Sequence, residues 1–310
     1  MVYGLWSSGC ACVPLGASYL GPQPLPAELA AYYAYPKRTT QHVVQLIEKR
    51  PRFRESLVRF PFSAPDFEPT ESIVEFEWFE SSQSGRRPAI LFNPILGGDY
   101  PLERDMCRYF AAHGFYVALI HRKTIKISPE QPIDHLELLL RQGIMRIRQV
   151  VDWMQTNERV DPSRMGSFGI SMGGVASVMV AALEPRLRAH VIALAGGSIP
   201  DILVSSHDKL LTRPRTKYMK THHMDLKTLE ARLRETIKTD PMRLAAFVDS
   251  RRLRVFIALF DRTIGTANAL RLWRALRRPC ATFLPFGHYT AYLLLPYLEH
   301  ESLRFFRAAL

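Results

Sequence analysis

From residue 89 onward the chain alternates short unbroken apolar runs with longer stretches in which apolar residues recur every third or fourth position. The runs Ala89 to Phe92, Phe115 to Ile120, Ala189 to Ala195, Leu253 to Phe260 and Cys280 to Leu284 have the length and composition of strands buried on both faces. Between them, Leu102, Met106, Tyr109 and Phe110 fall on one face of a helix over Pro101 to His113. A second, longer helix over Ile133 to Asn157 carries Leu136, Leu140, Ile144, Ile147, Val150, Val151 and Met154 at the same spacing. Strand and helix in strict turn predict an α/β fold with a doubly wound, mostly parallel sheet.

Two stretches break that rhythm. Residues 72–80 alternate apolar and acidic side chains with period two, the pattern of an antiparallel edge strand, and the sheet domain is taken to begin there and run over 72–310. Residues 1–71, rich in proline between 20 and 70, read as an N-terminal wrapping segment with one short helix around Thr40 to Lys49. Between Gly196 and Arg252 a single crossover helix would suffice, yet the chain is basic and helix-rich. Leu226, Leu229, Leu233 and Ile237 form one amphipathic stripe there, and Asp240-Pro241 supplies a cap and a first-turn proline. Residues 197–252 are therefore an insertion ahead of the Leu253 strand, either a lid over a site or an addition packed at the sheet edge.

The sharpest local signal is Gly169-Ile170-Ser171-Met172-Gly173-Gly174, set between a strand (Arg164 to Phe168) and a helix through Val175, Val178 and Leu183. A serine at a tight strand-to-helix turn sits in a strained backbone, and the close approach of strand and helix leaves room only for glycine two positions either side. The helix would direct its first N–H groups and the positive end of its dipole at charge developing beside Ser171. Such a serine needs a base and a carboxylate to orient it, and in an open parallel sheet these belong just past strand ends. Asp261 directly follows the strand ending at Phe260, and His288 follows the next strand in Pro285-Phe286-Gly287-His288-Tyr289. The plainer roles for Asp261 are a cap on the following helix or a pairing with Arg262. His113, His121, His222 and His223 are placed outside the chemistry.

In the order Ser171, Asp261, His288 the chain resembles the α/β-hydrolase family, and residues 72–310 are similar to its dienelactone-hydrolase-like and small-esterase branch. The similarity rests on Asn93-Pro94-Ile95-Leu96-Gly97-Gly98, Val160-Asp161-Pro162-Ser163-Arg164, the elbow, Asp261 and Phe286-Gly287-His288-Tyr289. It implies a serine hydrolase that acts on a carboxylic ester or related small-molecule acyl compound through an acyl-enzyme. Its oxyanion donors would be the backbone N–H of Met172 with that of Ile95 as first choice and Leu96 as second, since the family often has His-Gly where this chain has Asn93-Pro94. Ile95, Leu96, Tyr100, Met172 and Tyr289 are candidate substrate contacts around a mostly apolar acyl pocket. The triad and backbone supply every role, so no metal or organic cofactor is called for. A peptidase or amidase on the same fold, and a catalytically silent binding module, are the competing readings.

Length and composition bound the rest. At 310 residues and 47% hydrophobic, the chain can bury the core of one large domain, and no apolar run approaches the roughly 18 residues of a membrane span. The formal net charge of +12 raises the question of an anionic partner, and Arg271, Arg274, Arg277 and Arg278 fall within one expected helix. The basic residues are otherwise scattered and no nucleic-acid module is visible, so a solvated surface and no nucleic-acid partner are expected. Of four cysteines, Cys107 and Cys280 read as buried small hydrophobes, and the spacing suggests neither a zinc site nor a disulfide framework. Ser8-Gly9-Cys10 has the outline of a lipidation site but lacks a basic start and has Ser7 in place of an aliphatic residue. A cytoplasmic chain is the primary expectation, with export or membrane anchoring through Cys10 as the alternative.

Overall fold

A computed structural model describes residues 19–37, 41–64, 73–97, 99–122 and 127–310. Among these residues nine strands form one sheet: β1 (Val43–Lys49), β2 (Phe53–Pro61), β3 (Ile73–Ser81), β4 (Arg87–Asn93), β5 (Tyr116–Ile120), β6 (Val160–Ile170), β7 (Leu187–Ala193), β8 (Leu253–Ala258) and β9 (Cys280–Leu284). Their spatial order is β1-β2-β3-β5-β4-β6-β7-β8-β9. The first three strands pair antiparallel, β3 meets β5 antiparallel, and every pairing from β5 to β9 is parallel.

The helices are α1 (Ala27–Tyr32), α2 (Pro101–Ala112), α3 (Ile133–Thr156), α4 (Met172–Leu183), α5 (Ile199–Ser205), α6 (Lys209–Thr221), α7 (Leu226–Thr236), α8 (Pro241–Leu244), α9 (Thr266–Ala275) and α10 (Leu295–Ala309). Because side chains alternate across a strand, the central strands feed two cores at once. Ile90 and Phe92 of β4 join Phe110 of α2 and Phe306 of α10 on one face, whereas Ala89 and Leu91 join Val150 of α3 and Val178 of α4 on the other. This is the doubly wound arrangement that the apolar runs predict.

The stretch ahead of β3 departs from expectation. Residues 43–49 are strand, not helix, and β2 pairs with β3 through nine consecutive residues, from Phe53↔Ser81 to Pro61↔Ile73. The helix-like spacing of Val43, Val44, Leu46 and Ile47 carries no burial information, since all four lie half or more exposed on an edge strand. β3 is correspondingly an internal strand. Its acids are covered: Glu77 holds Arg104 through Nη2–Oε1 at 2.7 Å, and His121 lies between Glu75 and Glu77 at 2.7 and 2.8 Å. Burial disfavours the charged imidazole of His121, but the two carboxylates outweigh it and raise its pKa.

Cys107 is free and buried, while Cys280 is disulfide-bonded and not the free packed thiol expected. Cys10 and its surroundings lie outside the described residues. The four arginines do not share a helix: Arg277 and Arg278 follow the end of α9 in left-handed backbone, with φ 62° and 57°. No helix among the described residues is long and apolar enough to cross a membrane.

His190 of β7 and Ser167 of β6 are register partners, with imidazole Nδ1 2.8 Å from the hydroxyl. Burial, then the charge of Arg252, lowers the His190 pKa to about 3. The folded state thus keeps this ring neutral while the unfolded chain protonates it near 6.5. Stability from this residue is complete above about pH 6.5 and is lost as pH falls below it, at up to about 1.4 kcal/mol per pH unit. Urea midpoints measured at pH 7.5 and 5.0 are expected to show a steeper acid loss in the native chain than in His190→Asn.

Candidate active site

β6 ends at Ile170 and α4 begins at Met172, so the whole turn is one residue, Ser171, at φ 55° and ψ −119°. The tightness comes from neighbouring backbone. A Cβ on Gly169 would lie 2.1 Å from the Gly173 carbonyl oxygen, and one on Gly173 would lie 1.9 Å from that of Asn93. Any side chain at either place would push α4 off the sheet. The Ser171 N–H donates to Ala193 O at 2.8 Å, and buried Asn93 donates from Nδ2 to Ser177 Oγ at 2.9 Å, tying the end of β4 to the same helix.

The second half of the site is built by β8 and β9. Their pairing continues past the strand ends, with Leu259 N–H to Leu284 O at 2.9 Å and Phe260 N–H to Phe286 O at 3.0 Å. Asp261 and His288 therefore leave the sheet side by side. One carboxylate oxygen of Asp261 accepts the N–H groups of Thr263 and Ile264, both at 2.8 Å, and the other lies 2.7 Å from His288 Nδ1. On its far side His288 Nε2 is 2.9 Å from Ser171 Oγ. Both side chains are shielded from water, at 9% exposure for His288 and 2% for Asp261. The helix cap considered for Asp261 is not made: α9 starts after Gly265 with no side-chain cap, and the oxygen that accepts from Thr263 and Ile264 holds the loop ahead of it.

Not every expected residue falls in place. Tyr100 does not line the cavity around Ser171: it precedes α2 in left-handed backbone at φ 48°, is buried, and its hydroxyl accepts from the Arg122 N–H at 3.2 Å. The left-handed turn swings its ring into the core beside His121. The Ile95 N–H donates to Glu103 Oε1 at 3.2 Å, so in this structure the first-choice donor is turned to a buried carboxylate. Met172, as the first residue of α4, has an N–H with no acceptor inside the helix. It lines the cavity together with Leu96 and Tyr289.

That cavity has a volume of about 440 Å³ and is reached by Ser171 and His288. Its walls are apolar and come largely from outside the central sheet: Leu136 and Leu140 of α3, Ile202 of α5, Leu210 and Leu211 of α6, and Leu298 of α10. The inserted helices α5 and α6 thus form part of the chamber. Asp208, the N-cap of α6, fastens them to the histidine loop by accepting the Tyr289 hydroxyl, and it also accepts from Thr263 Oγ1 at 3.3 Å. Burial and then this carboxylate raise the Tyr289 pKa to about 12. Asp208 and Glu103 are not among the residues that the sequence patterns point to. Asp208 does carry a signal, an acidic residue directly before the helical run from Lys209, whereas burial of Glu103 has none.

The prolyl oligopeptidase family matches residues 107–284, a span that contains Ser171 and Asp261 and ends with β9. Over 135 residues the chain is 25% identical to polyketide transferase grgF of Penicillium sp, a match that covers 42% of this chain and 44% of that one. The chain thus matches less than half of that relative's length. Among solved structures it is similar to an acetyl xylan esterase from Paenibacillus sp. R4, with 17% identity, a TM-score of 0.71, and 91% and 93% of the two chains covered. Acetyl xylan esterase 1 from Thermoanaerobacterium sp. JW/SL YS485 superposes with a TM-score of 0.65 at 16% identity over 90% of this chain and 95% of that one. The α/β hydrolase GrgF from Penicillium sp. sh18 gives 0.59 at 13% identity over 82% and 98%. These likenesses establish the α/β-hydrolase fold and do not single out the dienelactone-hydrolase branch.

Tyr289→Phe removes only the hydroxyl that fastens α6 to the histidine loop. The loss of a hydrogen bond to a charged group, about 1.5 to 3 kcal/mol, is expected to speed amide exchange in the first turns of α6 by tenfold or more, leaving β6 unaffected. Hydrogen exchange read by mass spectrometry checks this.

Proposed function

The chain belongs to the prolyl oligopeptidase family, and on that premise we propose that it is a serine hydrolase that cleaves carboxylic esters through a covalent acyl-enzyme. The observation that carries this reading is the position of His288, with one ring nitrogen 2.9 Å from Ser171 Oγ and the other 2.7 Å from Asp261. His288 takes the hydroxyl proton through Nε2 as Ser171 Oγ attacks the carbonyl carbon. Asp261 holds the ring in the required tautomer and stabilises its charged form without accepting the proton.

As the tetrahedral oxygen becomes negative, Met172 N–H and the positive end of α4 stabilise it, with a second donor from the loop after β4. Leu96 serves directly, and Ile95 serves if its N–H leaves Glu103. Collapse expels the alcohol, which receives its proton from His288. Water then repeats the sequence on the acyl-enzyme, and the acid departs. The apolar chamber supports an extended hydrocarbon acyl group as the part of the substrate that is buried.

Ser171→Ala and His288→Ala are expected to lower turnover of p-nitrophenyl esters by about a million-fold, and Asp261→Asn to leave a small residue. Full activity in Ser171→Ala would end the reading. With the native enzyme, kcat/KM should rise with acyl length from acetate to octanoate as the chain fills the chamber. Release of p-nitroaniline from aminoacyl anilides faster than hydrolysis of any of these esters would instead favour a peptidase.

A further inference from the structure

A second, smaller cavity adjoins the first. It has room of about 40 Å³, enough for a carboxylate or a few waters, and is lined by Arg122, Gln142, Arg146, Met172 and Ala176 among others. Met172 and Leu140 line both cavities, so the smaller one lies against the first turns of the nucleophile's own helix. Arg122 stands two residues past the end of β5, at the carboxyl end of a strand, where parallel sheets bind their ligands.

Three buried donors here find no acceptor among the described residues. Both terminal guanidinium nitrogens of Arg122 and Nε2 of Gln142 are shielded from solvent and lack a hydrogen-bond partner. Burial lowers the Arg122 pKa to about 10, which leaves it charged at neutral pH. Tyr100 and Glu103 exert a field that favours the charge, yet neither accepts a hydrogen bond from the guanidinium. Arg146 adds a second positive charge to the wall, its guanidinium over the Phe62 ring at 3.9 Å and donating to Ile73 O at 3.0 Å. No carboxylate lines this cavity among the described residues. A buried, unpaired cation is costly in a folded protein and is ordinarily met by an anion.

We infer that Arg122 and Gln142 form a carboxylate-binding subsite beside Ser171, and that the preferred substrate carries a carboxylate at the far end of its acyl chain. The guanidinium offers the paired donors that match a planar carboxylate, and the Gln142 amide supplies a third. The acyl chain would run along the wall shared at Leu140 and Met172. The substrate half of this inference rests on the serine-hydrolase reading, and the anion-binding half stands on the cavity alone.

The test compares p-nitrophenyl monoesters of adipic, pimelic and suberic acids with p-nitrophenyl esters of monocarboxylic acids of equal chain length. At the best-fitting length the native enzyme is expected to favour the acidic ester by about tenfold or more in kcat/KM. Arg122→Met should abolish that preference and Gln142→Leu should reduce it, while both leave the neutral ester within about twofold of native. Arg122→Lys, which keeps the charge, decides the matter if Arg122→Met does not fold, and is expected to retain part of the preference.

A second arm needs no turnover: calorimetric binding of adipate to Ser171→Ala, which adding Arg122→Met or Gln142→Leu should weaken about tenfold or more. Undiminished esterase activity in Ser171→Ala would remove the hydrolase reading, yet Arg122-dependent adipate binding would still support the subsite. Equal kcat/KM for acidic and neutral esters at every length, a preference untouched by the Arg122 and Gln142 variants, or adipate binding indifferent to them would overturn the proposal.

Discussion

The backbone contact between α4 and the end of β4 governs everything else in the site. Gly173 lies so close to the Asn93 carbonyl that even a methyl group would come within 1.9 Å of it. This closeness confines the turn to a single residue and holds Ser171 at φ 55°. The strain is a local cost that the surroundings over-determine: α4 is buried along most of its length between two layers of packing, and Asn93 and Ala193 each anchor the turn by a hydrogen bond. The result is a hydroxyl held clear of the sheet at the start of a helix, with the helix's unpartnered N–H groups beside it.

The carboxylate and imidazole are set by a different device. Ordinary parallel pairing of β8 and β9 extends two hydrogen bonds beyond the strands, so the residues that follow emerge in register. Asp261 is then locked by two backbone donors on one oxygen and is left with the other free to orient His288. The placement of Asp261 and His288 thus derives from main-chain geometry. The chamber above them follows another logic. It is assembled from α3 and α10, which pack on the sheet, and from the inserted α5 and α6.

Charge is distributed to match. The acids of β3, Glu75 and Glu77, are neutralised by Arg59, Arg104 and His121, and most buried carboxylates have a basic partner. Arg122 is a departure, a cation two residues past β5 whose terminal nitrogens are buried with no acceptor among the described residues. That contrast with the paired acids of β3 is what directs attention to the small cavity behind Met172.

Local patterning along the chain is enough to place the sheet from β4 to β9, the helices that wind it, and the order of Ser171, Asp261 and His288. These were legible because each depends on local rules: an unbroken apolar run is a strand buried on both faces, and glycines flanking a serine mark a close approach. β1 is not legible in this way, because apolar spacing reports a helix only when the residues are buried, and Val43, Val44, Leu46 and Ile47 lie on an exposed edge. Tertiary structure alone decided that Tyr100 turns into the core, that Glu103 holds the Ile95 N–H, that Asp208 fastens the insertion to Tyr289, and that Arg122 shares a cavity with Gln142. Each is a contact between segments far apart in the chain, set by how whole layers pack, and no local spacing encodes which buried polar group will meet which.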